Sequence, residues 1–212
     1  MQTKPFILLL TLGLFPAVAG ASTIYDNGSP VFAGANITQV RTADDFVLAA
    51  PATVTAIRFF STVFPGGGTF AANFSGDISW EFYNNSGGTV GSGVASGSVT
   101  GLAGSPSGSF FQVDFDLNSP IAFAAGTYWL ELHEGATLSS NDGSAITWAG
   151  LNNVPASNAR QGSLVNGPNT TDLDFELAFQ LINNAAAVPE PSSYLLVAVP
   201  LAALLRRRRI RG

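Results

Sequence analysis

The chain has no cysteine, a single histidine and very little charge. The missing thiols exclude disulfides, thiol catalysis and thiolate metal sites in one step. They leave the compartment open, because an adequate core can stabilise an exported chain without cross-links. Charged residues make up 11% of the 212, against about 25% in an average soluble domain, so solubility rests on Gly, Ser, Thr and Asn. Between residues 22 and 187 the only cations are Arg41, Arg58 and Arg160, whereas all but one of the 14 carboxylates fall there. A body this acidic repels phosphate backbones, which argues against nucleic acid as a partner. The positive charge collects instead at the C-terminus, in Arg206, Arg207, Arg208, Arg209 and Arg211.

Residues 1–21 join Lys4, the apolar run from Phe6 to Val18 and small residues at a cut site, the pattern of a secretory signal peptide with an apolar helix. Cleavage fits after Ala19 or after Ala21. The second is favoured because Ser22 then opens a polar, β-like segment. A retained signal anchor is the alternative, and Pro16 with the small-residue box argues against it.

From residue 22 to 184 no amphipathic helix of three turns is present, and apolar residues recur at period two. This alternation predicts strands over 54–64, 78–83, 110–117, 127–133, 144–149 and 172–182. Turn clusters such as Pro65-Gly66-Gly67-Gly68, Asn84-Asn85-Ser86-Gly87-Gly88 and Asn141-Asp142-Gly143 separate them. The expected fold is all-β, an antiparallel β-sandwich of the jelly-roll or immunoglobulin-like kind. In the last strand Leu173, Phe175, Leu177, Phe179 and Leu181 are expected to face the core, with Asp172, Asp174, Glu176 and Gln180 toward water. In 127–133, Trp129, Glu131 and His133 share one face, and a bulky Trp beside two polar groups marks a candidate ligand-binding surface.

Carboxylates two apart on a strand project from one face, about 7 Å apart. Asp114 with Asp116, and Asp172 with Asp174 and Glu176, are therefore candidates for Ca2+, as are Asp44-Asp45 and the Asn141-Asp142-Gly143 turn. Calcium takes six or more oxygens at about 2.3–2.6 Å, and no D-x-D-x-D-G loop occurs, so a solvated acidic face that discourages edge aggregation is the preferred reading. His133, beside Glu134 and on the face of Glu131, has the chemistry of a general acid-base. No G-x-S-x-G elbow accompanies it, and a surface histidine is preferred. Trp80, Trp129 and Trp148, with Tyr83 and Tyr128, are either core or a platform for sugar rings. N-x-S/T sequons stand at Asn36, Asn73, Asn84 and Asn169, as chance allows in an Asn/Ser/Thr-rich chain.

After an alanine linker at 185–187, Pro189-Glu190-Pro191 sets an extended or turned backbone. The apolar segment from Tyr194 to Leu205 is a helix of roughly 18 Å at most, short of the bilayer core of about 30 Å. It is transmembrane-like yet suited to transient retention, with Arg206 to Arg209 as a cytoplasmic stop. Val188-Pro189-Glu190-Pro191-Ser192-Ser193, this apolar segment and the arginine block, in that order, resemble the PEP-CTERM sorting signal of exported Gram-negative bacterial proteins. The resemblance implies recognition of Pro189, Glu190 and Pro191 by an exosortase-type processing enzyme. It further implies brief residence in the inner membrane and delivery to an envelope or matrix rich in exopolysaccharide, as in biofilm. The family often has a glycine inside the apolar segment, where this chain has Pro200. Asp44-Asp45-Phe46 and Ala125-Gly126-Thr127-Tyr128-Trp129 loosely resemble the bodies of other proteins with this tail, and carry no activity across.

The expected function is thus a non-enzymatic structural, adhesive or glycan-contacting matrix protein. The alternatives are a secreted glycan hydrolase, whose carboxylate pair would stand about 5–9.5 Å apart, and a calcium-stabilised lectin-like module. Mass spectrometry of the N-terminus after export should find Ser22 first; a chain still beginning at Met1 would show a retained anchor.

Overall fold

Side chains alternating between apolar and polar at a period of two give each strand one face to bury, and neutral Gly, Ser and Asn runs let the chain turn between strands. A computed structural model describes residues 21–63, 68–141, 146–151 and 159–184. The signal and sorting readings, on residues 1–20 and 185–212, lie outside these, with Pro189, Glu190, Pro191 and Arg206 to Arg209 among them.

The described strands are β1 (Ser22–Asp26), β2 (Phe32–Asn36), β3 (Arg41–Leu48), β4 (Ala52–Val63), β5 (Ile78–Asn85), β6 (Val90–Val99), β7 (Ser105–Ser107), β8 (Phe110–Phe123), β9 (Gly126–Glu134), β10 (Ile146–Leu151), β11 (Arg160–Gly162), β12 (Thr171–Asp172), β13 (Glu176–Leu177) and β14 (Phe179–Asn183). One helical turn, α1 (Phe70–Asn73), follows β4. The fold is all-β, and no helix among the described residues is long and apolar enough to cross a membrane.

The strands make two antiparallel sheets. One has the order β12-β11-β3-β9-β5-β6. The other runs β1-β14-β4-β10-β13, with β2 added on β10, β8 on the far side of β4, and β7 on β8. The tight β5–β6 hairpin turns through Gly87 (φ 63°) and Gly88 (φ 85°), with Ser86 N donating to Thr89 O at 2.9 Å. Two successive residues in the left-handed region are what a two-residue hairpin loop with the twist of its strands demands.

The two apolar faces share one aromatic core. Phe46 on β3 is fully buried and stands 5.9 Å from Phe82 of its own sheet, 6.3 Å from Phe179 and 5.7 Å from Tyr25 of the other, ring centre to ring centre. The two Phe–Phe contacts are edge-to-face and the Tyr25 ring is tilted, geometries that add to the hydrophobic contribution of each ring.

The stretch 172–182 is not one strand. Asp172 ends β12 in the first sheet, the chain bends through Leu173–Phe175, and β13 and β14 belong to the second sheet. Leu177, Phe179 and Leu181 do face the core, but Glu176 is buried at 4% exposure rather than set toward water. The bend, closed by Phe175 N donating to Leu173 O at 2.7 Å, breaks the pleat on which the alternation depended. β14 lies between β1 and β4, pairing Ser22 with Asn183 and Phe59 with Phe179.

Phe46→Ala should cost about 3–5 kcal/mol, as for buried aromatic truncations. Urea unfolding should show a lower midpoint with an unchanged slope, whereas an unchanged midpoint would mean that Phe46 does not bridge the sheets.

Candidate functional site

On β3 the inward positions are Thr42, Asp44, Phe46 and Leu48, all buried. Strand parity therefore drives the Asp44 carboxylate into the inter-sheet core, next to Phe46. Its Oδ2 accepts from Leu177 N at 2.7 Å and from Asn27 Nδ2 at 3.0 Å, and its Oδ1 from Asp45 N at 3.0 Å. The Asn27 amide nitrogen also reaches Glu176 Oε2 at 3.2 Å and Leu177 O at 2.9 Å. Asn27 Oδ1 accepts from the Tyr25 hydroxyl at 2.7 Å. Glu176 Oε1 is buried without a hydrogen-bond partner among the described residues. One oxygen each from Asp44, Asp45 and Glu176 lie within 4.8 Å of one another.

Burial, and then the neighbouring Glu176 charge, push the Asp44 carboxyl well above the ordinary carboxylate range. Burial raises Glu176 as well, partly offset by hydrogen bonds from Asp44 and Asn27. Two anions this close and this dry repel each other, and a proton held between Asp44 and Glu176 would relieve that repulsion. Burial and the same carboxylates raise the Tyr25 phenol, which stays a donor.

The same oxygens suit a hard cation in place of that proton. Two ligands of a calcium ion at about 2.3–2.6 Å lie at most about 5 Å apart, a spacing the three carboxylates meet. The donor set is all oxygen, without imidazole or thiolate, which favours Ca2+ over softer metals.

The other expected sites are not where the sequence placed them. Trp129, Glu131 and His133 share a face as expected, but are 1%, 0% and 0% exposed, so they form no ligand-binding surface. β9 runs between β3 and β5, and polar side chains from both neighbours close over it. Arg41 grips Glu131 through Nε at 2.5 Å and Nη2 at 2.7 Å. The Tyr83 hydroxyl accepts from Arg41 Nη2 at 2.7 Å and lies 2.5 Å from Glu131 Oε2. Arg41 is held charged by its hydrogen bond to Glu131, while burial, then the Glu131 charge, raise the Tyr83 phenol. Gly167, buried at φ +76°, lies against the Arg41 guanidinium. Trp129 Nε1 donates to Asn85 Oδ1 at 3.1 Å. The ring nitrogens of His133 stand 2.8 Å from Ser140 O and 3.3 Å from Val40 O. His133 is a tie inside the structure, not a surface group.

The sugar platform fails for the same reason, since Trp80 and Trp148 are also buried and Tyr128 stacks on Phe46. Asp114 and Asp116 lie on β8, in the other sheet from Asp172. Asp114 pairs with Arg58 at 2.6 Å and Asp172 with Arg160 at 2.7 Å, Asp116 accepts from Asn184 Nδ2 at 2.9 Å, and Asp174 is exposed. These four do not converge on an ion, and the one acidic grouping of that kind among the described residues is Asp44, Asp45 and Glu176. Its sequence signal was an acid at the same strand parity as Phe46 and Leu48; nothing local announced Asn27 or Tyr25.

Folded Asp44 and Glu176 hold protons more tightly than the unfolded chain does, so unfolding releases them and stability falls as pH rises above about 4. In chelator, the urea midpoint should drop between about pH 5 and about pH 8. Asp44→Asn, which keeps a donor toward Glu176, should flatten that drop; an equally steep profile in the variant would assign the pH dependence elsewhere. Arg41→Met should cost about 3–5 kcal/mol by stranding the buried Glu131 charge, and adding Glu131→Gln should recover much of the lost midpoint.

No family model matches the chain, and no curated protein and no solved structure matches it either.

Proposed function

We propose that the chain is an exported, non-enzymatic matrix or envelope protein, carried out by residues 1–21 and sorted by residues 188–212. Its body, residues 22–184, is read as a β-sandwich of the jelly-roll or immunoglobulin-like kind. The observation that carries this is the ordered tail: Pro189-Glu190-Pro191, the short apolar segment, then Arg206 to Arg209. An exosortase-type enzyme would act on it at the inner membrane, leaving the body in the exopolysaccharide.

The body's chemistry supports a structural role over a hydrolytic one. A glycosidase carboxyl with raised pKa must face its sugar, whereas Asp44 is fully buried. The three body arginines are each engaged by a carboxylate. Contact with a glycan would then run through neutral Ser, Thr and Asn groups.

A second reading, a calcium-stabilised module, is favoured by one observation, the unpartnered Oε1 of Glu176 inside an oxygen cluster. Millimolar calcium would raise the melting temperature of the wild-type chain, and Glu176→Gln would remove the response. A wild-type melt indifferent to calcium, magnesium and chelator would end that reading.

Deleting residues 189–191 should leave an unprocessed chain in the membrane fraction, whereas the wild type appears shortened outside the cell. Identical size and location for both would refute sorting.

A further inference from the structure

β6 closes one side of its sheet and, among the described residues, pairs only with β5. Exposed strand edges invite further strands, and proteins normally blunt them with charge, proline or shortness. The free side of β8 carries Asp114, Asp116 and Pro120, β1 carries Asp26, β2 has five residues and β12 only two. β6 is ten residues of Val, Gly, Ser and Ala alone, inside a stretch from Phe82 to Val113 without a single charged side chain. β8 runs close to it at the rim of the sheets without pairing.

The first open position of this edge is already filled from within the chain. Asn169 Oδ1 accepts from Val90 N at 3.0 Å, and its Nδ2 donates to Val90 O at 2.7 Å. A carboxamide thus makes the two bonds that the peptide of an adjoining strand would make. Beyond it, Val94 is the extra residue of a bulge, and Ala95 to Val99 then run in regular register with Phe82 to Ile78. That regular stretch reads Ala-Ser-Gly-Ser-Val, nearly the same in either direction about Gly97. Ser96 and Ser98 are exposed, while Ala95, Gly97 and Val99 are partly covered from the core side. The Trp80 ring lies beneath Gly97 and fills the place of a side chain.

We propose that β6 pairs antiparallel with β6 of a second copy of this chain, about a two-fold axis at Gly97. Ser96 then faces Ser98 of the other copy, Ala95 faces Val99, and Gly97 faces Gly97. Hydroxyls meet hydroxyls on the solvent face, and small apolar groups meet on the other, so no charge is buried and the parity of both strands is kept. The six-stranded sheet becomes continuous across two molecules, an isologous contact of the commonest kind.

A cysteine-free chain makes the register directly readable. Directly opposed residues of an antiparallel pair have Cα atoms about 4.5–5.5 Å apart, within the range a disulfide spans, about 4.4–6.8 Å; diagonal neighbours at about 7–8 Å fall outside it. Full-length Ser96→Cys and Ser98→Cys chains carrying different tags are purified reduced in detergent, mixed and oxidised. The mixed Ser96→Cys with Ser98→Cys disulfide should dominate over both homodimers and over pairs with Val165→Cys, an exposed control at 89%. Sedimentation of the unoxidised wild type should show a concentration-dependent dimer that Ser96→Lys with Ser98→Lys abolishes. A monomer at all concentrations, or a dimer that cross-links without preferring the mixed pair, would overturn the proposal.

Discussion

A carboxylate in an aromatic core has to be neutralised or fully bonded, and much of this fold follows from how Asp44 meets that demand. Charge without a partner there would cost several kcal/mol. The chain answers from two places: the side chain of Asn27, and the adjoining Glu176 carboxyl and Leu177 backbone of β13. Since Asp44 is in one sheet and Leu177 in the other, the polar cluster ties the layers together where the Phe46 rings end. Apolar packing alone would hold them face to face with less control over their offset; directional bonds fix it.

The outer face of the first sheet repeats the solution in another form. Glu131 is also fully buried, but here a guanidinium offsets it, and the Tyr83 hydroxyl shares the contact. One sheet therefore has buried acids on both faces, hydrogen-bonded toward the core and ion-paired away from it. The body commits its cations to such pairs, which explains how a chain with so few charges carries an acidic surface.

Strand positions were legible wherever one face is wet. β8 follows the expected alternation, with Val113, Phe115 and Leu117 inward and Asp114 and Asp116 exposed. The fully covered β9 misled, because period two separates the faces without saying whether both are buried. β6 escaped notice because Gly and Ser give no apolar contrast. Residues 172–182 misled because a bend between sheets leaves the hydrophobic spacing of Leu177, Phe179 and Leu181 intact while reversing Glu176. The polar cluster was half legible: Asp44-Asp45 stood out, whereas Asn27 reaches Asp44 from 17 residues away and meets Glu176 across a separation of 149.

The placement of β14 between β1 and β4 also sets a timetable. A chain delivered N-terminus first exposes β1 and β4 long before their shared neighbour arrives, and neither can complete its ladder without Phe179–Asn183. Contacts this distant in sequence form slowly. Until then β4 offers an open edge and Phe46 lacks one of its ring partners. The domain therefore locks last at its final strand, and on the proposed reading of residues 188–212 retention at a membrane would hold the chain in place during the interval in which it most needs to be kept from its neighbours.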